Sequence, residues 1–301
     1  MTTIPETYLG KIRQAYPDLS RHRLELNQDG LVNDVVIVDG EIIYRFPKHD
    51  WAREMLHHET RVIGLVSSRT DLQLPHYEVL EPDFGCYRLL AGAPLTRELL
   101  LRSAAATRSA VLKDVVLLVR ALHEIKPHEL AAASIGPSDT NRDRGWWLSF
   151  YNDLRDTVFP HLMQHQRLFV DEHFAPVVSG EIALEYEPRL IHGDLAPYHL
   201  LFDQDKGRLA GVIDFGTAGL GDPAVDIAAL LHTYGESLLA PAIKLYPEMV
   251  SWFDRARFWA GTLELQWALH SLRHQDQDLA FAHLGGARDM MPVGSPLPEF
   301  G

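Results

Sequence analysis

Alternating apolar and polar positions in the first 90 residues predict a small antiparallel sheet accompanied by helices. Five strands are expected, at about 22–26, 34–38, 41–46, 77–80 and 86–90. Between the second and third, Asp39-Gly40 supplies the two positive φ angles that a type I′ hairpin requires. Helices are expected at about 5–16 and 51–66. This part of the chain therefore reads as mixed helix and strand.

Gly92 and Pro94 interrupt the pattern, and the chain beyond them becomes largely helical. We place a boundary there, which gives an N-terminal lobe of residues 1–90 and a C-terminal lobe of residues 91–301. Three helices are expected in the second lobe, at about 112–123, 222–234 and 240–281. Short apolar strands are expected between them, at 190–192, 199–202 and 209–213.

Composition and charge narrow the function classes. The 301 residues are 46% hydrophobic and 23% charged, which is ordinary for a globular protein. With 28 basic and 41 acidic side chains the net charge is −13, which argues against a nucleic-acid partner because such binding needs basic clusters. Cys86 is the only cysteine, so no intrachain disulfide can form. Without an apolar leader or spanning segment, we expect a cytoplasmic protein that does not bind membranes.

Two aspartates, each following a predicted strand, are the residues best suited to chemistry. Asp194 lies in His192-Gly193-Asp194, and Asp214 follows 20 residues later in Ile213-Asp214-Phe215-Gly216. If the intervening hairpin forms, both carboxylates emerge at one end of the sheet. Such a pair suits phosphoryl transfer, because one carboxylate can orient a hydroxyl and accept its proton while the other holds Mg²⁺ against nucleotide phosphates.

The helix predicted at 51–66 carries an acidic residue, Glu59, on its apolar stripe. The stripe is formed by Ala52, Met55, Val62 and Val66. A carboxylate that faces the core requires a cationic partner, since burying it alone would cost several kcal/mol. The pattern therefore predicts a buried ion pair at Glu59.

The motifs around Asp194 and Asp214 resemble the catalytic and metal-binding motifs of aminoglycoside phosphotransferases, a branch of the protein-kinase-like fold. Residues 30–48 are similar to the family's nucleotide-covering hairpin and third strand, and Gly221-Asp222-Pro223 with Asp226 is similar to a further family segment. The resemblance covers about residues 25–235. It implies an α+β, bilobal fold with a small β-rich N-lobe and a larger, mostly helical C-lobe.

The resemblance also implies roles for individual residues. Asp194 corresponds to the catalytic base and His192 to a residue that braces its loop. Asp214, with His199, corresponds to the Mg²⁺ site. The residues that correspond to the site for ATP or GTP are Arg45 paired with Glu59, Gly30 in the covering loop, and Arg88 and Leu90 in the interlobe segment.

Two residues depart from the kinase pattern. Arg45 stands where protein kinases have lysine; arginine keeps the charge and can bind two phosphate oxygens at once. His199 stands five residues after Asp194, where asparagine is expected, and some 2″-aminoglycoside and macrolide phosphotransferases are similar in having histidine there. Because Mg²⁺ prefers oxygen ligands, His199 leaves open whether one or two metal ions bind.

The expected function is transfer of a nucleoside triphosphate's γ-phosphate to a hydroxyl of an aminoglycoside antibiotic by a monomeric enzyme. Glu236 and Glu264 are the acidic candidates for binding this cationic acceptor. The alternatives are a macrolide 2′-phosphotransferase, whose pocket should be larger and more apolar, a metabolic kinase of the choline or fructosamine type, and a non-catalytic pseudokinase.

Overall fold

The computed structural model describes residues 3–28, 30 and 32–284. Its N-terminal part is a five-stranded antiparallel sheet in the order β1-β2-β3-β5-β4. The strands are β1 (Leu24–Asn27), β2 (Asn33–Val38), β3 (Ile42–Pro47), β4 (Tyr77–Glu81) and β5 (Phe84–Arg88). Helices α1 (Glu6–Ile12) and α2 (Asp50–Val66) accompany the sheet. All five predicted strands are present, and α1 ends four residues earlier than expected.

The two faces of this sheet have different surroundings: one packs into a core and the other lines a cleft. Asp39 and Gly40 both have positive φ, at 54° and 71°, so the predicted hairpin is confirmed. Since side chains alternate along a strand, one face of β2 and β3 packs into a small core, and the other faces the cleft between the lobes. The core includes Val36, Val38, Tyr44, Phe46, Phe84 and Cys86. The cleft face carries Val35, Ile37, Ile43 and Arg45.

Helix α2 buries one face, and that face includes a charge. Its buried residues are Ala52, Leu56, Glu59, Val62, Ile63 and Val66. Glu59 lies on the buried face, as the pattern predicted. Met55, expected on the stripe, is half-buried at its edge, and its Cε lies against Gly216.

The C-terminal part is mostly helical. Its helices are α3 (Arg97–Arg102), α4 (Ala105–His123), α5 (Pro127–Ala132), α6 (Arg144–Asp153), α7 (Gln164–Ser179), α8 (Ala224–Tyr234), α9 (Glu236–Leu239), α10 (Ala242–Leu245), α11 (Phe253–Arg273) and α12 (Gln277–Leu284). Its strands are β6 (Ala93–Pro94), β7 (Arg189–Ile191), β8 (Leu200–Asp203), β9 (Arg208–Val212) and β10 (Gly219–Gly221). None of the helices in the described part of the chain is both long and apolar enough to cross a bilayer.

The C-terminal strands form two small sheets that carry the predicted motifs. Strands β6, β8 and β9 pair in that order, and β10 pairs with β7. Helix α4 packs against β7 and β9, and α8 packs against α11; the C-terminal core includes the large buried side chains Trp147, Phe174 and Phe258. The predicted hairpin between β8 and β9 is present, and Nε2 of His192, directly after β7, lies 3.2 Å from the backbone O of Ile213, directly after β9.

The segment that follows α2 connects the two parts of the molecule. Gln73 N donates to Ala210 O at 3.0 Å, and Val212 N donates to Gln73 O at 3.0 Å. Gly211 lies between them, and a Cβ there would approach Gln73 O to 2.6 Å. The strand that leads to Asp214 is thus fixed to the chain that follows α2. The division into lobes at residues 90 and 91 stays a prediction; β6, immediately after it, pairs with β8.

Candidate active site

The loop that carries Asp194 is held from below by a buried carboxylate. Asp226, in the first turn of α8, accepts the backbone N–H of His192 at 3.0 Å and that of Gly193 at 2.9 Å. Gly193 has a φ of 82°, and a Cβ there would lie 2.9 Å from Thr217 O. Burial raises the pKa of Asp226 to about 6, although its two backbone hydrogen bonds oppose the change. The sharp turn before Asp194 therefore depends on glycine and on Asp226.

His192 links the Asp194 and Asp214 motifs as a neutral group. Its ring is fully buried against Phe215, with ring centroids 4.6 Å apart. Burial lowers the pKa of His192 to about 3, so the imidazole is uncharged at neutral pH. Nδ1 then accepts the N–H of Asp194 at 3.3 Å, while Nε2 donates to Ile213 O at 3.2 Å. This position fits the bracing role that the family resemblance implied.

His199 lies between the two aspartates. Its Nδ1 donates to the backbone O of Asp194 at 2.8 Å, so its Nε2 is the nitrogen that faces Asp214, 3.5 Å from Oδ2. The Asp194 carboxylate is 3.6 Å from Nδ1. Asp214 has a φ of 66°, in the left-handed region that non-glycine residues rarely adopt. Non-glycine residues with a strained backbone of this kind cluster at functional sites, where the strain helps to fix the position of a side chain.

The two aspartates have opposite electrostatic surroundings. Burial, reinforced by Asp214, raises the pKa of Asp194, and His199 only partly opposes it. Burial alone would also raise the pKa of Asp214, but the guanidinium of Arg45 and the nearby ring of His199 bring it below its ordinary value. Carboxyl groups whose pKa values are driven apart are suited to different tasks. Asp194 is the more basic group, and Asp214 stays ionised.

Arg45 reaches the same place from the N-terminal sheet. Its Nη1 donates to Glu59 Oε2 at 2.7 Å, and its Nη2 is 3.7 Å from Asp214 Oδ1. Both partners of this ion pair are buried, with 7% and 1% of their surface exposed. The structure thus supplies the cationic partner that the position of Glu59 required.

Asp194 lies where two cavities meet. A cleft of about 720 Å³ is lined by the sheet face described above, by Tyr87 and by the charged groups Arg45, Asp194 and Asp214. A second cavity of about 460 Å³ lies on the other side, and both cavities are lined by Asp194, Tyr198 and Trp267. This arrangement provides room for two substrates, with one carboxylate between them.

Comparison with known proteins agrees with this geometry. Residues 23–279 match the model of a family described as "Phosphotransferase enzyme family". The chain belongs to this phosphotransferase family. Viomycin phosphotransferase of Streptomyces vinaceus is 29% identical over 219 residues, which are 69% of this chain and 70% of that protein.

Solved structures share the fold of this phosphotransferase. The GDP complex of wild-type aminoglycoside 2′-phosphotransferase-IIIa superposes with a TM-score of 0.82 at 23% identity, over 95% of this chain and 97% of the other. Macrolide 2′-phosphotransferase type I superposes with a TM-score of 0.68 at 19% identity, over 97% and 99% of the two chains. The expected α+β, bilobal kinase-like fold is confirmed.

Not every residue expected at the nucleotide site of the phosphotransferase lies there. Gly30 lines the large cleft. Arg88 is exposed and pairs with Glu78 at 3.0 Å, because alternation along β5 turns Tyr87 inward and Arg88 outward. Leu90 packs against Gly211 instead of lining the cleft. The binding roles of these residues stay predictions.

The two acidic candidates for the acceptor are separated. Glu264 lines the second cavity, where its oxygens bind His232 at 2.8 Å and His283 at 2.6 Å. Glu236 is instead buried in an ion pair with Arg257, at 2.6 and 2.9 Å, and does not line that cavity. The acceptor-binding roles of Glu236 and Glu264 stay predictions. Only Glu264 is brought to the face that contains Asp194.

The sequence did not indicate the site roles of Tyr77 and Trp267. Trp267 lies between the two cavities, and Tyr77 Oη accepts a hydrogen bond from Arg45 Nη1 at 3.0 Å. The sequence identifies Asp226 only as part of a segment similar to one of the family. Its buried position in the first turn of a helix is the signal that suggests a structural carboxylate.

Proposed function

We propose that this phosphotransferase transfers the γ-phosphoryl group of ATP or GTP to a hydroxyl of an aminoglycoside antibiotic. The observation that carries the proposal is the position of Asp194 between two cavities, opposite Asp214 and Arg45. The nucleotide occupies the larger cleft, with its base among apolar side chains and its phosphates near Arg45. The acceptor occupies the second cavity and presents its hydroxyl to Asp194.

Asp194 orients the hydroxyl and accepts its proton as the phosphoryl group moves. Its raised pKa makes it a better proton acceptor than an ordinary aspartate. His192 and Asp226 keep the loop in place, and Arg45 balances phosphate charge. Because phosphoryl transfer has a loose transition state, this positioning and charge balance account for most of the expected rate acceleration.

The residues near Asp214 fit one Mg²⁺ ion. Asp214 offers ionised carboxylate oxygens, and Nε2 of His199 lies 3.5 Å from Oδ2 of the same carboxylate. The part of the chain that is described contains no group of three or more His, Cys, Asp or Glu side chains suited to a metal. The remaining ligands would come from phosphate oxygens and water, as is usual for Mg²⁺. When bound, the ion neutralises charge on the nucleotide phosphates.

The second cavity supports two acceptor classes. Glu264 and the net charge of −13 favour a cationic aminoglycoside. The same cavity is also lined by many apolar side chains, which favours a macrolide as the second candidate; these are Ala196, Val225, Ala228, Ala229, Trp259, Leu263 and Trp267.

The test is a screen of the purified protein with ATP or GTP and an aminoglycoside, viomycin, a macrolide or choline. Nucleoside diphosphate release and mass spectrometry of the acceptor report turnover, and Asp194→Ala is the inactive control. We expect aminoglycoside phosphorylation whose KM for the acceptor rises with salt and on Glu264→Gln, but not on Glu236→Gln. Turnover of a macrolide alone would favour the second candidate, and no turnover at all would refute the proposal.

A further inference from the structure

Arginine at position 45 creates a geometric problem that lysine would not. A guanidinium carries five N–H donors in a rigid plane, so it binds phosphate well only when its plane is fixed. A single bond to Glu59 would leave Arg45 free to rotate about that contact. In the structure, Nη1 is held at two points, by Glu59 Oε2 at 2.7 Å and by Tyr77 Oη at 3.0 Å. Nη2 is thereby directed toward Asp214 and the cleft.

The position of Tyr77 follows from the pairing of β4 with β5. Tyr77 lies opposite Tyr87, their rings meet edge to face with centroids 5.1 Å apart, and the register shifts immediately afterwards, between Tyr77 and Val79. The Tyr77 ring passes over Gly85, where a Cβ would lie only 2.8 Å from Cε1. Gly85 in turn pairs with Arg45 across β3 and β5. The missing side chain at Gly85 therefore makes the space in which the phenol meets the guanidinium.

We propose that Tyr77 is a positioning residue for nucleotide binding. It fixes the plane of Arg45 together with Glu59, and Gly85 makes room for it. The inference rests on the proposed function only in assigning Arg45 to the nucleotide phosphates. The Tyr77 hydroxyl does not line the cleft, so its influence on the nucleotide passes through Arg45.

The test is nucleotide affinity, measured by titration calorimetry of the full chain with ATP and GTP in the presence of Mg²⁺. Removing a hydrogen bond to a charged group typically weakens an interaction by about 10-fold or more, so we expect Tyr77→Phe to raise the Kd by about 10-fold. Gly85→Ala should do the same by displacing the ring. Tyr44→Phe is the matched control, because Tyr44 is a buried tyrosine of the same sheet that faces the opposite side from Arg45.

A double-mutant cycle separates positioning from general loosening of the sheet. A lysine ammonium cannot make the forked contact, so Tyr77→Phe should have little further effect when combined with Arg45→Lys. Where the acceptor is known, the nucleotide KM should rise with little change in kcat or in the acceptor KM.

An unchanged Kd in Tyr77→Phe, an equal rise in Tyr44→Phe, or full additivity with Arg45→Lys would overturn the role of Tyr77. Any of these results would leave the proposed function standing. If the unsubstituted chain bound neither nucleotide, both proposals would be refuted.

Discussion

Replacing Asp226 by asparagine should impair catalysis more than it impairs folding. Asp226 contacts the loop that carries Asp194, and its oxygens each accept one backbone N–H, from His192 and Gly193. His123 lies 3.9 Å from Asp226, but burial lowers the pKa of His123 to about 3, so it brings no positive charge. Asparagine has the same shape and only one acceptor oxygen, so one of the two N–H groups must lose its partner.

Two opposing effects of Asp226→Asn on the free energy of unfolding nearly cancel. A folded-state pKa of about 6 against an ordinary 3.8 means that ionising Asp226 costs the folded protein about 3 kcal/mol at neutral pH. The Asp226→Asn variant would avoid that cost, but it loses a charge-assisted hydrogen bond that is typically worth about 1.5–3 kcal/mol. The free energy of unfolding should therefore change by less than about 2 kcal/mol. A catalytic group displaced by about 1 Å loses about 100-fold in rate, so kcat should fall by about 10- to 100-fold.

Urea denaturation and steady-state kinetics at neutral pH test this separation. The folded-state pKa of Asp226 is raised, so its contribution to stability is present below about pH 4 and is lost as the pH rises through about 6. The difference in the free energy of unfolding between wild type and Asp226→Asn should therefore change over the pH range from about 4 to about 6. Asp222→Asn is the matched control, because Asp222 is also buried near the start of α8 but binds Arg255, at 2.8 and 3.0 Å. An unchanged kcat in Asp226→Asn would refute the role assigned to this residue.

Three further outcomes are expected. Asp194→Asn should lower kcat at least about 100-fold with an unchanged nucleotide Kd. The wild-type kcat should fall as the pH drops through a pKa that is higher than that of an ordinary aspartate, and a kcat that does not change at acidic pH would contradict this. Asp214→Ala should abolish the effect of Mg²⁺ on nucleotide affinity in calorimetry with and without the metal, and retention of that effect would exclude Asp214 as a ligand. Gly211→Ala should cost about 1–3 kcal/mol in the free energy of unfolding, since its Cβ would approach Gln73 O to 2.6 Å, whereas Gly64→Ala, with open space on α2, should not destabilise.

Features governed by neighbours in the sequence were predictable. The Asp39-Gly40 hairpin depends on two residues that tolerate positive φ, and the strands around it depend on simple alternation. The stretch at 240–281 was expected to be helical, but it is divided into α10, a 3₁₀ turn over Pro247–Trp252, α11 and α12. Pro247 has no N–H to continue α10, which explains the break. Helical composition alone did not locate it.

Apart from the Arg45–Glu59 ion pair, features governed by distant partners were not predictable. Glu236 and Glu264 look alike in sequence as acidic residues near helices, but Glu236 pairs with Arg257, whereas Glu264 pairs with His232 and His283 at the second cavity. The contact of Tyr77 with Arg45 depends on the register of β4 and on the absent side chain of Gly85, which no local pattern reveals. Asp194 and Asp214 were recognised because their motifs are compact, but the cavities on either side of Asp194 are products of tertiary packing.

The two departures from the kinase pattern act on the same carboxylate. Arg45 Nη2 lies 3.7 Å from Asp214 Oδ1, and His199 Nε2 lies 3.5 Å from Oδ2, so both oxygens of Asp214 face nitrogen. Both residues lower the pKa of Asp214. Of the two, only His199 also lowers the pKa of Asp194, and burial outweighs it, so that pKa stays raised. Arginine and histidine at these positions thus favour the separation in pKa that the proposed roles of Asp214 as Mg²⁺ ligand and Asp194 as base call for. Both departures from the kinase pattern are thus compatible with the proposed phosphoryl transfer.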